Sequence, residues 1–267
     1  MPEPVKVLTI GGSDSGGAAG VQADLRAWAA LGAYGLCALT AVTAQNSERV
    51  AGVWAISAEF LSLQLTTILS DYGAHAIKTG FIGRVELIET IADCLRRLTC
   101  PIVIDPVLVN HRGQPLFGPE VAAAYRRLLL PLATVVTPNC QEAALLVGHA
   151  LDTRDDLAQA ARRLRDDGAQ HVLIKRWREG DACVDWLFDG QTFTSLRAPW
   201  LDNANTHGSG DTLSAAMAAY LAQGQSLPSA VSLAHAFTAR ALRAGADWRL
   251  GAGHGPVWAA DAILSQE

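Results

Sequence analysis

Short apolar runs alternate with helical patterns along almost the whole of this 267-residue chain, and that alternation limits the possible folds more than any other feature. Residues 5–10 (VKVLTI) form a brief apolar run ending at Gly11-Gly12, the signature of a buried strand. Residues 20–32 then carry Val21, Leu25, Trp28 and Leu31 at helical spacing, and residues 36–45 (LCALTAVTAQ) read as a second strand. Residues 57–71 predict a helix capped by Ser57, with Phe60, Leu61, Leu65, Ile68 and Leu69 turned inward. Further strands are expected over 75–83, 101–109 (ended by Pro106), 133–139 and 171–175, with helices over 85–98, 119–130, 139–148 and 153–168. A hairpin from Cys183 to Thr194 turns at Asp189-Gly190, and two long helices over 208–223 and 227–244 follow. Crossovers of this length join parallel strands, so the expected fold is α/β, a mainly parallel central sheet with helices on both faces. No linker or repeat interrupts it, and a single domain over 1–267 is expected.

Composition removes several function classes. Half the residues are hydrophobic and 18% are charged, enough apolar surface for a core and too little charge for disorder. A net charge of -5, with no basic cluster beyond Arg162–Arg165, disfavours nucleic acid as the main partner. The five cysteines are scattered, never in a C-x-x-C pair, which suits neither a disulfide framework nor a zinc site. The first ten residues lack the shape of a signal peptide and no apolar run reaches membrane-span length, so a soluble, cytoplasmic protein is expected.

In sheets of this kind ligands bind beyond the carboxyl ends of the strands. The polar residues at those ends are Gly11–Gly17, Gln45-Asn46, Lys78-Thr79, Asp105-Pro106, Asn139 with Glu142, Lys175, and the stretch 205–216 (NTHGSGDTLSAA). In that stretch Gly208, Ser209 and Gly210 open a helix, where the first backbone N–H groups lack intrahelical partners and the helix dipole is positive. Such a cup suits a transferring phosphoryl group, and Asp211 beside it could accept the proton of an attacking hydroxyl. The pattern alone equally allows a glycine-rich turn in which Asp211 only favours the helix start. His207 either touches phosphate or stabilises the turn. Neither a nucleophile elbow, a Walker lysine nor a metalloprotease motif is present.

Taken in order, LTIGGSDSGGAAGVQADL, LGAYGLCALTAVTAQNS, IKTGFIG, VIDPVLV, VTPNCQEAALL, VLIK, NTHGSGDTLSAA and GHGP run nearly end to end. This series resembles the ribokinase-like superfamily, and within it the hydroxymethylpyrimidine/phosphomethylpyrimidine kinases of thiamine biosynthesis. The resemblance implies a ribokinase-like fold, use of ATP and Mg²⁺, and a homodimer. It implies phosphorylation of 4-amino-5-hydroxymethyl-2-methylpyrimidine and then of its monophosphate. By the family's pattern Gln45 reads the pyrimidine edge, Asp24 approaches the substrate's polar groups, and Gly12, Ala19, Phe81 and Val107 shape the pocket. Asn139, Lys175 and Thr206 are implied on the nucleotide side, Glu142 and Asp105 near the metal, and Asp211 with Gly208, Ser209, Gly210 and Lys175 in catalysis.

The chain departs from that pattern twice. The pyrimidine kinases usually carry cysteine where Asp211 stands, whereas ribokinases and many pyridoxal kinases carry aspartate as general base. The family usually follows its lysine with two glycines, where this chain has Arg176-Trp177. The first departure raises pyridoxal or pyridoxine as an alternative acceptor. The second raises a homologue that binds ligand without turnover.

Overall fold

The computed structural model describes residues 3–201 and 203–260, and within it the chain divides into two compact units. One runs through Ile82 and adds Thr99–Pro101 and the C-terminal helices; the other comprises Gly83–Leu98 and Ile102–Leu201.

In the first unit the strand order is β3-β2-β1-β4, formed by β1 (Lys6–Ser13), β2 (Tyr34–Gln45), β3 (Val50–Ala55) and β4 (Ala76–Thr79). β1 runs parallel to both β2 and β4, and β3 lies antiparallel on β2. Val7, Leu8, Thr9 and Ile10 are all fully buried, as expected of a strand covered on both faces. The helices are α1 (Gly20–Ala30), α2 (Ala58–Asp71) and the last two of the chain, α7 (Ser209–Ala222) and α8 (Leu227–Ala244). Helix α7 is apolar nearly all round, and its alanines Ala215, Ala216, Ala218 and Ala219 let neighbours approach closely. Trp28 of α1 donates its indole N–H to the Ala215 carbonyl at 2.8 Å, fixing one helix on the other. Ser57 caps α2 by accepting from the Phe60 N–H at 3.2 Å.

In the second unit the strand order is β5-β6-β7-β8-β9, formed by β5 (Ile102–Ile104), β6 (Val135–Val136), β7 (Val172–Glu179), β8 (Ala182–Phe188) and β9 (Phe193–Pro199). β5, β6 and β7 are parallel, while β8 and β9 add an antiparallel meander. Helices α3 (Val85–Leu95), α4 (Pro119–Ala124), α5 (Cys140–Val147) and α6 (Arg154–Asp166) belong to this unit. Capping boxes start α5 (Asn139 with Glu142) and α6 (Thr153 with Asp156). The α/β expectation of a mainly parallel sheet is met.

Three local readings need correction. β3 was not foreseen, because its VAGVWA has no clear alternation and leaves Val50, Val53 and Trp54 exposed. β7 does not stop at Lys175 but continues to Glu179 past a register shift between Ile174 and Trp177. The strand expected to end at Pro106 is β5, which stops just before Asp105 and Pro106 leave the ladder. The helix expected over 119–130 gives way after Ala124 to a π turn (Tyr125–Leu129) and a 3₁₀ turn (Leu130–Leu132), where Pro131 has no N–H to continue an α-helix.

Candidate active site

The stretch that opens α7 is a built turn. Gly208 is its N-cap residue at φ 78°, and a Cβ there would lie 1.9 Å from the Ala18 carbonyl oxygen. Only glycine fits that approach. Asn205 ties the same turn to the end of α8, donating to the carbonyls of Gly245 (2.8 Å), Ala246 (3.1 Å) and Trp248 (2.7 Å). His207 bonds through its backbone to Gly255 (3.0 Å) and Val257 (3.1 Å), which explains why the late GHGP segment accompanies NTHGSGD. The Ser209 N–H is occupied by the Thr206 carbonyl at 3.1 Å. No acceptor is found for the N–H groups of Gly210 and Asp211 among the described residues, so the available donors lie one residue later than Ser209.

Asp211 sits in the first turn of α7, and its Oδ1 accepts from the ammonium of Lys78 at 2.9 Å. Lys78, fully buried on β4, also donates to Asp24 Oδ1 on α1 at 2.6 Å. Thr9 Oγ1 donates to the other Asp24 oxygen at 2.6 Å. Burial pushes the Asp24 carboxyl up to about 7, against the opposing pull of Lys78 and with a further push from Asp211. Asp24 was expected against the substrate; its two oxygens are engaged by Lys78 and Thr9.

A second feature closes over the end of β1. Asp14 folds its carboxylate back on the loop, accepting from the N–H groups of Gly16 (2.8 Å), Ala18 (2.9 Å) and Ala19 (2.9 Å). Ala19 is thereby fixed as the N-cap residue of α1. Gly12 packs against Phe81, whose Cδ1 would lie 3.2 Å from a Cβ at that position. Gln45, at the end of β2, places its Nε2 3.0 Å from Nε2 of His207, and Ser15 Oγ binds its backbone on both sides (2.8 and 2.9 Å). Ser15, Ala44, Gln45, Asn46, Arg49 and Ala51 line a cavity of about 300 Å³. Thr206 spends its hydroxyl on His254 Nε2 at 2.8 Å, and the rings of His207 and His254 lie 5.3 Å apart.

The second unit carries its own charged cluster. Lys175 on β7 donates to Asp105 Oδ1 at 2.8 Å, and Thr137 Oγ1 reaches the same oxygen at 3.1 Å. Glu142 completes the α5 capping box, accepting from the Asn139 N–H at 2.9 Å, while its other oxygen accepts from the Leu108 N–H at 3.3 Å. Burial pushes its carboxyl up to about 7; Lys175 pulls it down and Asp105 adds to the rise. The same carboxylates raise the fully buried Tyr125 phenol well above its ordinary value, after burial itself. Val107 belongs to this cluster, its N–H on the Asp105 carbonyl at 3.0 Å. Beyond Lys175 comes Arg176 at φ 63°, the one non-glycine residue in the left-handed region among the described residues. Its N–H is held by Asp185 Oδ1 at 2.8 Å.

Thus the structure gathers Gly12, Ala19, Asp24, Gln45, Phe81, Thr206 and Gly208–Asp211 in the first unit, and Asp105, Val107, Asn139, Glu142 and Lys175 in the second. Sequence reasoning gave no role to Lys78, Asp14 or His254. The available signal was a lysine beside Ile77 in the short strand β4 and an aspartate inside a glycine run.

A mainly parallel α/β chain with a glycine-opened helix and strand-end carboxylates and lysines is built as the ribokinase-like small-molecule kinases are. The phosphomethylpyrimidine kinase family matches residues 14–258, and the chain belongs to it. It is 45% identical to a hydroxymethylpyrimidine/phosphomethylpyrimidine kinase of Streptomyces coelicolor, across 95% of this chain and 94% of that protein. The ADP complex of Bacillus subtilis pyridoxal kinase superposes with a TM-score of 0.91 at 37% identity, covering 99% of this chain and all of that one. A phosphomethylpyrimidine kinase of Clostridium difficile gives 0.79 at 32% identity, covering 89% of this chain and 99% of its own. No helix among the described residues is long and apolar enough to cross a membrane.

Proposed function

We propose that the chain transfers the γ-phosphoryl group of MgATP to 4-amino-5-hydroxymethyl-2-methylpyrimidine, and then a second one to the monophosphate, in thiamine biosynthesis. The observation that carries the reading is the start of α7. There a carboxylate pinned at one oxygen by Lys78 stands beside the N–H groups of Gly210 and Asp211, which have no acceptor among the described residues. Asp211 Oδ2 takes the proton of the hydroxymethyl group as its oxygen bonds to the γ-phosphorus. The bond from that phosphorus to the β–γ bridging oxygen breaks, ADP leaves with the electron pair, and Asp211 returns the proton to solvent. The helix-start donors hold the equatorial oxygens of the migrating group. In the second transfer the acceptor is a phosphate oxygen, which needs no base when ionised.

Gln45 reads the ring: with Nε2 turned to His207 and only the long 3.5 Å bond from the Thr43 hydroxyl on Oε1, that oxygen keeps a lone pair to accept from the exocyclic amine. Asn139, Lys175 and Thr206 are assigned to the nucleotide in this reading. No group of three or more His, Cys, Asp or Glu side chains forms a metal cage among the described residues. Asp105 and Glu142 nevertheless fit Mg²⁺, which takes hard oxygens, one or two carboxylates and otherwise water and substrate phosphates. A cation there would offset the burial that holds Glu142 near neutrality. When bound, Mg²⁺ neutralises charge on the nucleotide phosphates.

The test is purified protein with MgATP and the hydroxymethylpyrimidine, with ADP measured enzymatically and the pyrimidine mono- and diphosphate by mass spectrometry. Both products are expected; absence of either phosphorylated pyrimidine across metals and pH overturns the substrate assignment. A vitamin B6 alcohol is the second reading, favoured by the aspartate at 211 and by the likeness to the pyridoxal kinase structure. Comparing kcat/KM for both acceptors decides between them, and the pyrimidine is expected to lead. MgATP being an intracellular metabolite, the reading places the enzyme in the cytoplasm. The exposed Val50, Val53 and Trp54 on the edge strand β3 support a homodimer through that strand. Light scattering on Trp54→Glu, expected to be a monomer, tests that assignment.

A further inference from the structure

Lys78, Asp24 and Asp211 lie on three different elements and meet in one buried knot. Lys78 is 0% exposed, as a lysine stem threaded between helices on a strand must be, while the Asp211 side chain retains 16%. The ammonium is shared between Asp24 Oδ1 at 2.6 Å and Asp211 Oδ1 at 2.9 Å. Thr9 occupies the second Asp24 oxygen, so Asp24 is held from both sides. The second Asp211 oxygen has no hydrogen-bond partner among the described residues. Gly80 adds no side chain over this knot: a Cβ there would stand 3.5 Å from the Lys78 Nζ and 3.9 Å from Asp211 Oδ1. A buried lysine is retained at a cost unless its charge is used by well-placed partners.

We propose that Lys78 is the positioning residue of the phosphoryl-transfer step: anchored on Asp24, its ammonium clamps Asp211 by Oδ1 and leaves Oδ2 alone to face the acceptor hydroxyl. The proposal rests on the reading of Asp211 as proton acceptor. The clamp does two things. It removes the rotational freedom of a carboxylate that must meet a hydroxyl at hydrogen-bond distance. It also sets a positive charge 2.9 Å from that carboxylate, so that removing the ammonium changes the electrostatics of the proton acceptor. Lys78 faces the carboxylates of Asp24 from α1 and Asp211 from α7, and the neutral hydroxyl of Thr9 from β1 supports Asp24. Asp24 is the anchor because it is fully enclosed; Asp211 is the working end because it retains access.

The test compares Asp24→Asn with Asp24→Asn/Lys78→Met, since the double variant removes the ammonium from Asp211 without leaving the enclosed Asp24 position as an unpaired carboxylate. In Asp24→Asn the ammonium keeps Asp211 and loses the carboxylate that competes for it, so the acid limb of kcat against pH moves to lower pH. In the double variant kcat for the pyrimidine alcohol falls about 100-fold below that of Asp24→Asn. Its acid limb moves back up by about one pH unit or more, and KM for MgATP stays within about twofold. A merely structural role would lower the melting temperature without moving the acid limbs in opposite directions. A double variant with kcat within about threefold of Asp24→Asn and a coincident pH profile overturns the proposal. An Asp24→Asn acid limb that is unmoved or raised does the same, and this holds even if the double variant fails to fold. Asp211→Asn is measured alongside: parental kcat there defeats the assignment of Asp211 itself, a different failure from silent Lys78 variants.

Discussion

Each unit buries one lysine against carboxylates, yet the two lysines leave their partners in different states. Lys175 donates to Asp105, whose Oδ1 also takes the Thr137 hydroxyl, and both oxygens of the neighbouring Glu142 accept backbone N–H groups. Lys78 likewise binds an enclosed carboxylate, Asp24, but its other partner Asp211 keeps one oxygen unpartnered among the described residues, in the first turn of α7. A carboxylate with both oxygens engaged holds charge in place. One with a lone pair left over can move a proton. The difference teaches that burial and ion pairing alone do not mark a catalytic group, because both clusters show them. What separates them is the unspent valence at a helix start.

The largest effect expected from that difference is on Asp211. Asp211→Asn should lower kcat for the hydroxymethyl acceptor by about 1000-fold while KM for MgATP changes by less than about threefold. Transfer to the monophosphate, whose acceptor oxygen carries no proton once ionised, should fall far less. Steady-state kinetics with each acceptor measures both. Equal losses in the two transfers would place Asp211 in charge stabilisation rather than proton removal, and an unchanged kcat would erase the contrast between the clusters.

Gly208→Ala comes next, and it probes the frame on which Asp211 stands. The new Cβ would meet the Ala18 carbonyl oxygen at 1.9 Å in a backbone at φ 78°. A strained residue of this kind costs about 1–3 kcal/mol before the clash is counted, so urea unfolding should show a loss of at least that size. A stable variant with normal kcat would mean that the turn tolerates movement that the geometry forbids. Gln45→Ala should act on recognition alone, raising acceptor KM about tenfold with little change in kcat, as expected for one lost hydrogen-bonding amide. A variant of normal acceptor affinity would remove Gln45 from the pocket.

Much of this arrangement could be read from the sequence, and the reasons are local. The parallel α/β plan follows from the spacing of apolar runs, and the glycine-flanked start of α7 and the Asn139–Glu142 capping box are contiguous patterns. The Lys78 knot is not local: its partners are 54 and 133 positions away, and no periodicity links them. Asp24 is tied to the substrate by the family's pattern alone, and its pairing with Lys78 leaves no trace in the spacing. β3 escaped notice for a different reason, because an edge strand with exposed Val53 and Trp54 lacks the burial that writes a strand pattern. Past Lys175 the KRWRE run gave a departure to be noted but no shape, and the structure makes it a strand bent by a left-handed residue.

That residue sets the smallest prediction and the finest contrast with Gly208. Both positions have positive φ, 78° at Gly208 and 63° at Arg176, but one is occupied by the residue that adopts it freely and the other is not. A left-handed non-glycine residue costs about 1–2 kcal/mol, and replacing it with glycine returns part of that gain as unfolded-chain entropy of about 0.5–1 kcal/mol. Arg176→Gly should therefore stabilise the protein by about 0.5 kcal/mol, since its N–H can keep the bond to Asp185 at 2.8 Å. Arg176→Val, β-branched at the same φ, should destabilise by about 1 kcal/mol or more. Urea denaturation of the pair reads the sign of each change. If glycine and valine shift stability alike, the backbone at 176 is not held left-handed in solution. In that case the register shift between Ile174 and Trp177, rather than the residue at its centre, accounts for the bend next to Lys175.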